Sequence, residues 1–287
     1  MSEKKTATLD VPGAVLTYDV RPAESAGDET PLVLIGSPMG AEGFATMAGH
    51  FTDRTVVTYD PRGIERSTLE PGAAPATPHT HADDLHRLVA ELGAGPVDVF
   101  ASSGGAVNAL AWVEAHPGDV RTLVAHEPPV PRVLPDGDAA HAAMLGIHQT
   151  YLSKGLGPAM AQFIAIVTHE GPIPEGWVEQ NTPDPAMFGL PTEDDGSRDD
   201  QLLGVSLRTL PDYVPDADAL RSAPTRVVVA RGEESGAQLA ARGADAVAAL
   251  LGTEPSVFPS DHGGFLGGEY GQTGKPDAFA ARLREVL

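Results

Sequence analysis

Phe100-Ala101-Ser102-Ser103-Gly104-Gly105-Ala106 is the stretch that decides how this chain folds. The apolar run Pro96-Val97-Asp98-Val99-Phe100 leads into it, and a helical pattern through Leu110 and Trp112 leads out. A strand, then small-x-Ser-x-small, then a helix predicts a very sharp turn that lifts a serine hydroxyl clear of the backbone. The residues two before and two after that serine must be small, or strand and helix collide. Centred on Ser103 the flanks are Ala101 and Gly105, whereas centred on Ser102 one flank is Phe100. Ser103 is therefore the expected nucleophile.

Working outward, short β-like runs recur at 14–20, 32–35, 55–59, 97–101, 122–125, 226–230 and 256–258. Several are continuously apolar, as in strands buried on both faces. Helical patterns separate the later ones. In 81–92, Leu85, Leu88, Val89 and Leu92 fall on one face; 238–251 ends at Gly252; 278–287 is the last. This alternation predicts an open, mostly parallel α/β sheet. It breaks between about 130 and 223, where helix-like pieces at 139–152 and 158–168 precede a Pro/Asp-rich connector over 171–200. The expected division is a core of 1–130 and 221–287 with a helical cap of 131–220.

Composition narrows the classes. Forty acidic residues against 19 basic ones give a net charge of −21, which repels nucleic acid and anionic membranes. With no cysteine there is no disulfide framework, thiolate metal site or cysteine nucleophile. The N-terminal Met1-Ser2-Glu3-Lys4-Lys5 lacks an apolar h-region, and no apolar run reaches spanning length. The expectation is a cytoplasmic protein acting on a small molecule, without a nucleic-acid or membrane partner and with a homodimer left open.

A serine nucleophile needs a base, an orienting acid and oxyanion donors. His262 is the expected base, in the loop Phe258-Pro259-Ser260-Asp261-His262-Gly263-Gly264-Phe265 before the final helix. Other histidines read blandly: His81 and His86 belong to an amphipathic helix, and His116 precedes a proline at a helix end. The expected oxyanion donors are the backbone N–H groups of Gly104 and of Ser37, in Ile35-Gly36-Ser37-Pro38-Met39-Gly40. Two acids compete, Glu127 in Ala125-His126-Glu127-Pro128-Pro129 and Glu234 in Gly232-Glu233-Glu234-Ser235, each at a strand end on the active edge.

With these residues in place, the chain resembles the α/β-hydrolase superfamily over nearly its whole length outside the cap. The resemblance rests on the loop at Gly36–Gly40, the turn Tyr59-Asp60-Pro61-Arg62-Gly63-Ile64-Glu65-Arg66-Ser67, the elbow and the His262 loop. It implies that family's mostly parallel eight-stranded sheet flanked by helices, with a helical cap after the sixth strand. The second segment is similar to the family's D-x-R-G-x-G-x-S, in which Arg62 and Ser67 would tie down a turn near the site. Three departures stand out. Ile35 replaces the usual histidine of the oxyanion loop, Ser235 occupies the usual acid position, and Glu127 stands where many haloalkane dehalogenases place their acid. The last favours Glu127 over Glu234. Ser103 argues against dehalogenase or epoxide hydrolase activity, because serine attack would leave an ether that water does not readily cleave.

The resemblance implies a serine hydrolase of a small hydrophobic ester, lactone or similar acyl compound, with no metal or organic cofactor. Candidate pocket residues are Met39, Phe44, Met144, His148, Tyr151, Met160, Phe163, Trp177 and Phe188. Carbon–carbon bond hydrolysis and cofactor-free perhydrolase chemistry are alternatives within the same triad. A non-catalytic binding protein is the alternative outside it.

Overall fold

The computed structural model describes residues 4–24 and 30–287. Its nine strands are β1 (Lys5–Val11), β2 (Ala14–Arg21), β3 (Leu32–Ile35), β4 (Val56–Asp60), β5 (Thr68–Leu69), β6 (Val97–Ser102), β7 (Val120–His126), β8 (Arg226–Gly232) and β9 (Ser256–Phe258). They form one sheet in the order β1-β2-β4-β3-β6-β7-β8-β9, with the two-residue β5 pairing on β2. The pairs from β4 through β9 are parallel, while β2 runs antiparallel to β1, β4 and β5.

Among the described residues the α-helices are α1 (Ala45–Gly49), α2 (Pro78–Glu91), α3 (Gly104–Ala115), α4 (Gly137–Lys154), α5 (Leu156–Val167), α6 (Trp177–Gln180), α7 (Leu207–Thr209), α8 (Ala217–Ser222), α9 (Leu239–Leu251) and α10 (Pro276–Val286). The central strands are buried on both faces, and their alternate side chains serve two cores. Val33, Ile35, Val99 and Ala101 pack with Leu85 and Leu88 of α2, Val107 and Trp112 of α3 and Val247 of α9. Leu32, Leu34 and Phe100 pack on the other face with Met47 of α1 and Phe279 and Leu283 of α10. Each fully buried Leu or Phe contributes about 1.5–3 kcal/mol.

Every expected strand is present. The structure adds β1, whose Lys5-Thr6-Ala7-Thr8-Leu9-Asp10 is mostly solvent-facing and carries no buried alternation. Only its pairing with β2 makes it a strand. α2 begins earlier than its apolar stripe, because Thr77 caps Pro78: its Oγ1 accepts from Thr80 N at 3.2 Å and Thr80 Oγ1 accepts from Thr77 N.

Between β7 and β8 the chain forms α4–α8. α4 and α5 meet at Gly155 (φ +85°), and Ala140, Ile147, Tyr151, Ile166, Trp177 and Leu203 share a core with them. Polar ties hold this insertion to the sheet layer, among them two with buried or half-buried partners. Asp136 pairs with Arg242 of α9, and Tyr213 Oη donates to Glu114 Oε1 of α3 at 2.5 Å. Met144, Tyr151, Phe163 and Trp177, among the candidate pocket residues, pack in this insertion's own core, and Trp177 also lines a cleft with Gly146 and Val178; helical spacing alone cannot tell core from pocket. His148 is buried too, its Nδ1 2.7 Å from the Leu203 carbonyl, and Met160 packs at the edge of the same core. Phe188 is exposed.

Candidate active site

The turn after β6 has the predicted sharpness. Ser103 has φ +57° and ψ −130°, a conformation that costs a non-glycine residue about 1–3 kcal/mol. Two sets of bonds hold it: Ser103 N donates to His126 O at 3.0 Å, and Ser103 O accepts from Ala106 N at 2.9 Å to start α3. The small residues are needed for the reason expected. A Cβ on Gly105 would lie 2.6 Å from Ile35 O, and one on Gly104 would lie 2.6 Å from Ser37 O.

That close approach sets the Ser37 segment of the β3 loop against the N-terminus of α3. The Gly104 N–H belongs to the first turn, whose donors have no intrahelical acceptor, and the helix dipole adds partial positive charge there. The loop itself is pinned from below, since Asp60 Oδ1 accepts from Ala41 N at 2.8 Å and Asp60 Oδ2 from Arg66 Nε at 2.6 Å. Arg62 forks onto Asp84 at 2.8 and 2.5 Å, both side chains buried. Ser67 Oγ donates to Asp60 O at 2.6 Å and accepts from Thr17 N at 2.8 Å. Arg62 and Ser67 therefore tie the β4 turn to α2 and β2.

On the other side of Ser103, the structure brings His262 and Glu127 together: His262 Nδ1 lies 2.6 Å from Glu127 Oε2. Glu127 is 1 % exposed, with φ +49°, and its Oε1 accepts from Gly232 N at 2.9 Å. Burial works to raise its pKa, but the hydrogen bond from His262, the neighbouring imidazoles and the Ser235 hydroxyl outweigh it and hold the carboxyl at about 2. A carboxylate on Nδ1 fixes the tautomer and leaves Nε2, on the far edge of the ring, as the basic nitrogen. Glu234 lies outside this arrangement: it is half exposed and pairs with Lys275. Ser235 is fully buried and packs under Gly232, where an added Cβ would lie 2.6 Å from its hydroxyl.

One neighbour carried no signal in sequence. His126 is fully buried among Phe100, Phe258, Phe265 and Phe279, with its ring centroid 6.0 Å from that of His262. Burial first, and the nearby His262, lower its pKa to about 4 against the pull of Glu127, so at neutral pH it is uncharged. It forms an uncharged floor beneath the His262 imidazole. Phe44 belongs to the same aromatic layer, stacked on Phe265 at 5.4 Å and fully buried, rather than to a pocket wall. Met39 is only partly buried and packs over Gly36 and Gly43.

Among the described residues, two groups bring potential metal ligands together: His126–Glu127–His262 and His86–His116–Asp119. In the first, both Glu127 oxygens are already engaged and His126 Nδ1 sits 3.3 Å from Ser102 Oγ. In the second, the imidazoles stack at 4.0 Å with 6° between planes, so their in-plane lone pairs run parallel rather than converging. Neither fits a cation as it stands. No helix among the described residues is long and apolar enough to cross a membrane.

A family profile described as the alpha/beta hydrolase fold matches residues 31–168. The chain is 29% identical over 294 residues to YraK, an uncharacterized hydrolase of Bacillus subtilis (strain 168), covering 98% of this chain and 95% of that one. A thermophilic esterase from Thermogutta terrifontis superposes with a TM-score of 0.68 at 18% identity, covering 99% of this chain and 97% of the other. The enol-lactonase from Burkholderia xenovorans LB400 gives 0.67 at 16%, covering 98% and 99%. The sheet order, the strained turn at Ser103 and these similarities agree: the chain has the α/β-hydrolase fold.

Proposed function

We propose that this hydrolase cleaves carboxylic esters or lactones of small, uncharged molecules through Ser103, His262 and Glu127. The observation that carries the reading is the buried Glu127 carboxylate on His262 Nδ1, on the same sheet edge as the strained Ser103 turn. His262 Nε2 takes the Ser103 proton as Oγ attacks the carbonyl carbon. The N–H groups of Ser37 and Gly104 receive the oxyanion. The imidazolium, stabilised by Glu127, returns its proton to the departing alkoxide, leaving an acyl-serine. Water, deprotonated by the same histidine, then attacks the acyl carbon and regenerates the hydroxyl. Each oxyanion donor contributes about 10²–10³ to kcat in such sites. Ile35 in place of the family's histidine leaves both backbone donors in place. The esterase and lactonase among the structural neighbours accord with this chemistry without fixing a substrate. The cytoplasm is the proposed compartment.

The test is intact mass after treatment with a fluorophosphonate, with wild type and Ser103→Ala in parallel. A single adduct on wild type that is absent from the variant supports the reading. Folded wild type without an adduct overturns it, and a hydrolase-fold binding protein becomes the better account.

A further inference from the structure

Beside the oxyanion loop lies a small cleft of ≈ 10 Å³ lined by Ser37, His81, Asn108, Ser206, Thr209 and Leu210. Its position relative to the nucleophile follows from the helix and the sheet. Asn108 is four residues after Gly104 on α3, so the two share a face one turn apart, about 5–6 Å. Leu210 touches the same place, since a Cβ on Gly104 would lie 3.0 Å from its Cδ1. The cleft therefore opens on the β3 side of Ser103, whereas His262 and Glu127 stand on the β7 side. A leaving group protonated by His262 must face β7, which directs the acyl chain the opposite way, into the cleft.

The lining is unusual for an alkyl pocket. Asn108 is 1 % exposed, and its Nδ2 has no hydrogen-bond partner among the described residues. The His81 Nδ1 is likewise shut from solvent and unpartnered among them, although part of the ring edge is open. Burial, with a smaller contribution from the Arg62 charge, lowers the pKa of His81 to about 4, so the imidazole is neutral and no cation faces the cleft directly. Arg62 itself is neutralised by Asp84. Unmet buried donors of this kind each cost about 1–3 kcal/mol, which an acceptor oxygen would recover. The far wall is supplied by a π-helical stretch, Leu202–Ser206, an arrangement that recurs at functional sites. It brings Ser206, and Thr209 one turn later, over the cleft. Thr209 Oγ1 spends its hydrogen on Val205 O at 3.2 Å.

We propose that this cleft seats the tip of a short, uncharged acyl chain carrying a hydrogen-bond-accepting oxygen, with Asn108 as its principal donor. The preferred esters are then those of compact hydroxy- or oxo-acids, the oxygen lying two or three carbons beyond the scissile carbonyl. The volume admits one water-sized atom, and long alkanoyl chains have no room there. This inference rests on the proposed ester hydrolysis at Ser103. Neither His81 nor Asn108 had any such role in the sequence reading, which left His81 to a helix face.

The test compares kcat/KM for p-nitrophenyl 3-hydroxybutyrate and 4-oxopentanoate with that for the pentanoate, on fluorophosphonate-reactive enzyme. Wild type is expected to favour the oxygen-bearing esters by about tenfold or more. Asn108→Leu should bring that ratio close to one by slowing the oxygen-bearing esters much more than the pentanoate. Should Asn108→Leu fail to fold, His81→Phe is read for the same loss of preference. A wild-type enzyme that labels but turns over pentanoate as fast overturns the inference alone, and the cleft then holds only water. A preference that survives in the folded variants also overturns it. Absence of labelling overturns the hydrolase reading, and the inference with it.

Discussion

Replacing Glu127 by glutamine probes the site most directly. The amide keeps the size of the side chain, and its oxygen can still accept from Gly232 N. Its NH2 group, however, faces His262 Nδ1 across the 2.6 Å contact and must donate there. The imidazole then carries its proton on Nε2, the tautomer that cannot accept from Ser103. Loss of the correct tautomer in such triads costs about 10⁴-fold in kcat, so a fall of about 10³- to 10⁴-fold is expected for Glu127→Gln, or about 4–5 kcal/mol of transition-state stabilisation. The carboxylate also matters for stability. Held at about 2 against an ordinary 4.5, its ionised form is favoured by about 3 kcal/mol in the fold. That stability is fully present above pH 4.5 and is lost as pH falls toward 2, so wild type should lose stability on acidification more steeply than Glu127→Gln. The assay is p-nitrophenyl ester hydrolysis with Glu234→Gln in parallel, and denaturant melts at several acidic pH values alongside. Glu127→Gln within tenfold of wild type, with Glu234→Gln strongly impaired, would refute the reasoning.

Other expectations follow from the same geometry. Ser103→Gly removes both hydroxyl and strain, so it should abolish turnover yet stabilise the fold by about 1 kcal/mol, visible as a raised denaturant midpoint. Gly105→Ala should destabilise by more than ~2 kcal/mol, because its Cβ meets backbone rather than a side chain that can move; a midpoint near wild type would show the elbow to be looser than described. Arg62→Leu leaves the Asp84 carboxylate buried without its fork and should cost about 3–5 kcal/mol in urea unfolding. Lys275→Ala breaks only an exposed pair with Glu233 and Glu234, and it should move neither stability nor kcat/KM measurably.

How much of this was readable beforehand depended on whether local physics or tertiary contact decided the outcome. The elbow was legible because sterics alone demand small residues around Ser103, and the two-sided strands were legible because their apolar runs are continuous. β1 was hidden, since an edge strand that faces water has no pattern to show. The choice of acid was open because Glu127 and Glu234 both follow sheet strands. Only the register that sets Glu127 beside Gly232, and the reach of Lys275 to Glu234, separates them. Pocket residues could not be told from core for a related reason: Met144, Tyr151 and Trp177 carry the periodicity of a helix face, which is the same whether that face meets a ligand or another helix. Asn108 carried no signal and His81 read only as part of an amphipathic helix, where one polar residue is unremarkable until its neighbours are known.

The place of Glu127 has a consequence for how this enzyme can change over time. Three residues separate it from Pro131, where the insertion begins, and α9 presses on that short tether so closely that a Cβ on Gly243 would lie 2.3 Å from Pro128 O. In a chain whose acid followed β8, the whole insertion could be exchanged by recombination with the charge partner of the histidine left behind. Here a crossover anywhere upstream of residue 127 carries the acid off with the insertion. New specificity is therefore more readily reached by point changes within the existing insertion than by its wholesale replacement, and grafting experiments on this scaffold should place their upstream junction after Pro129.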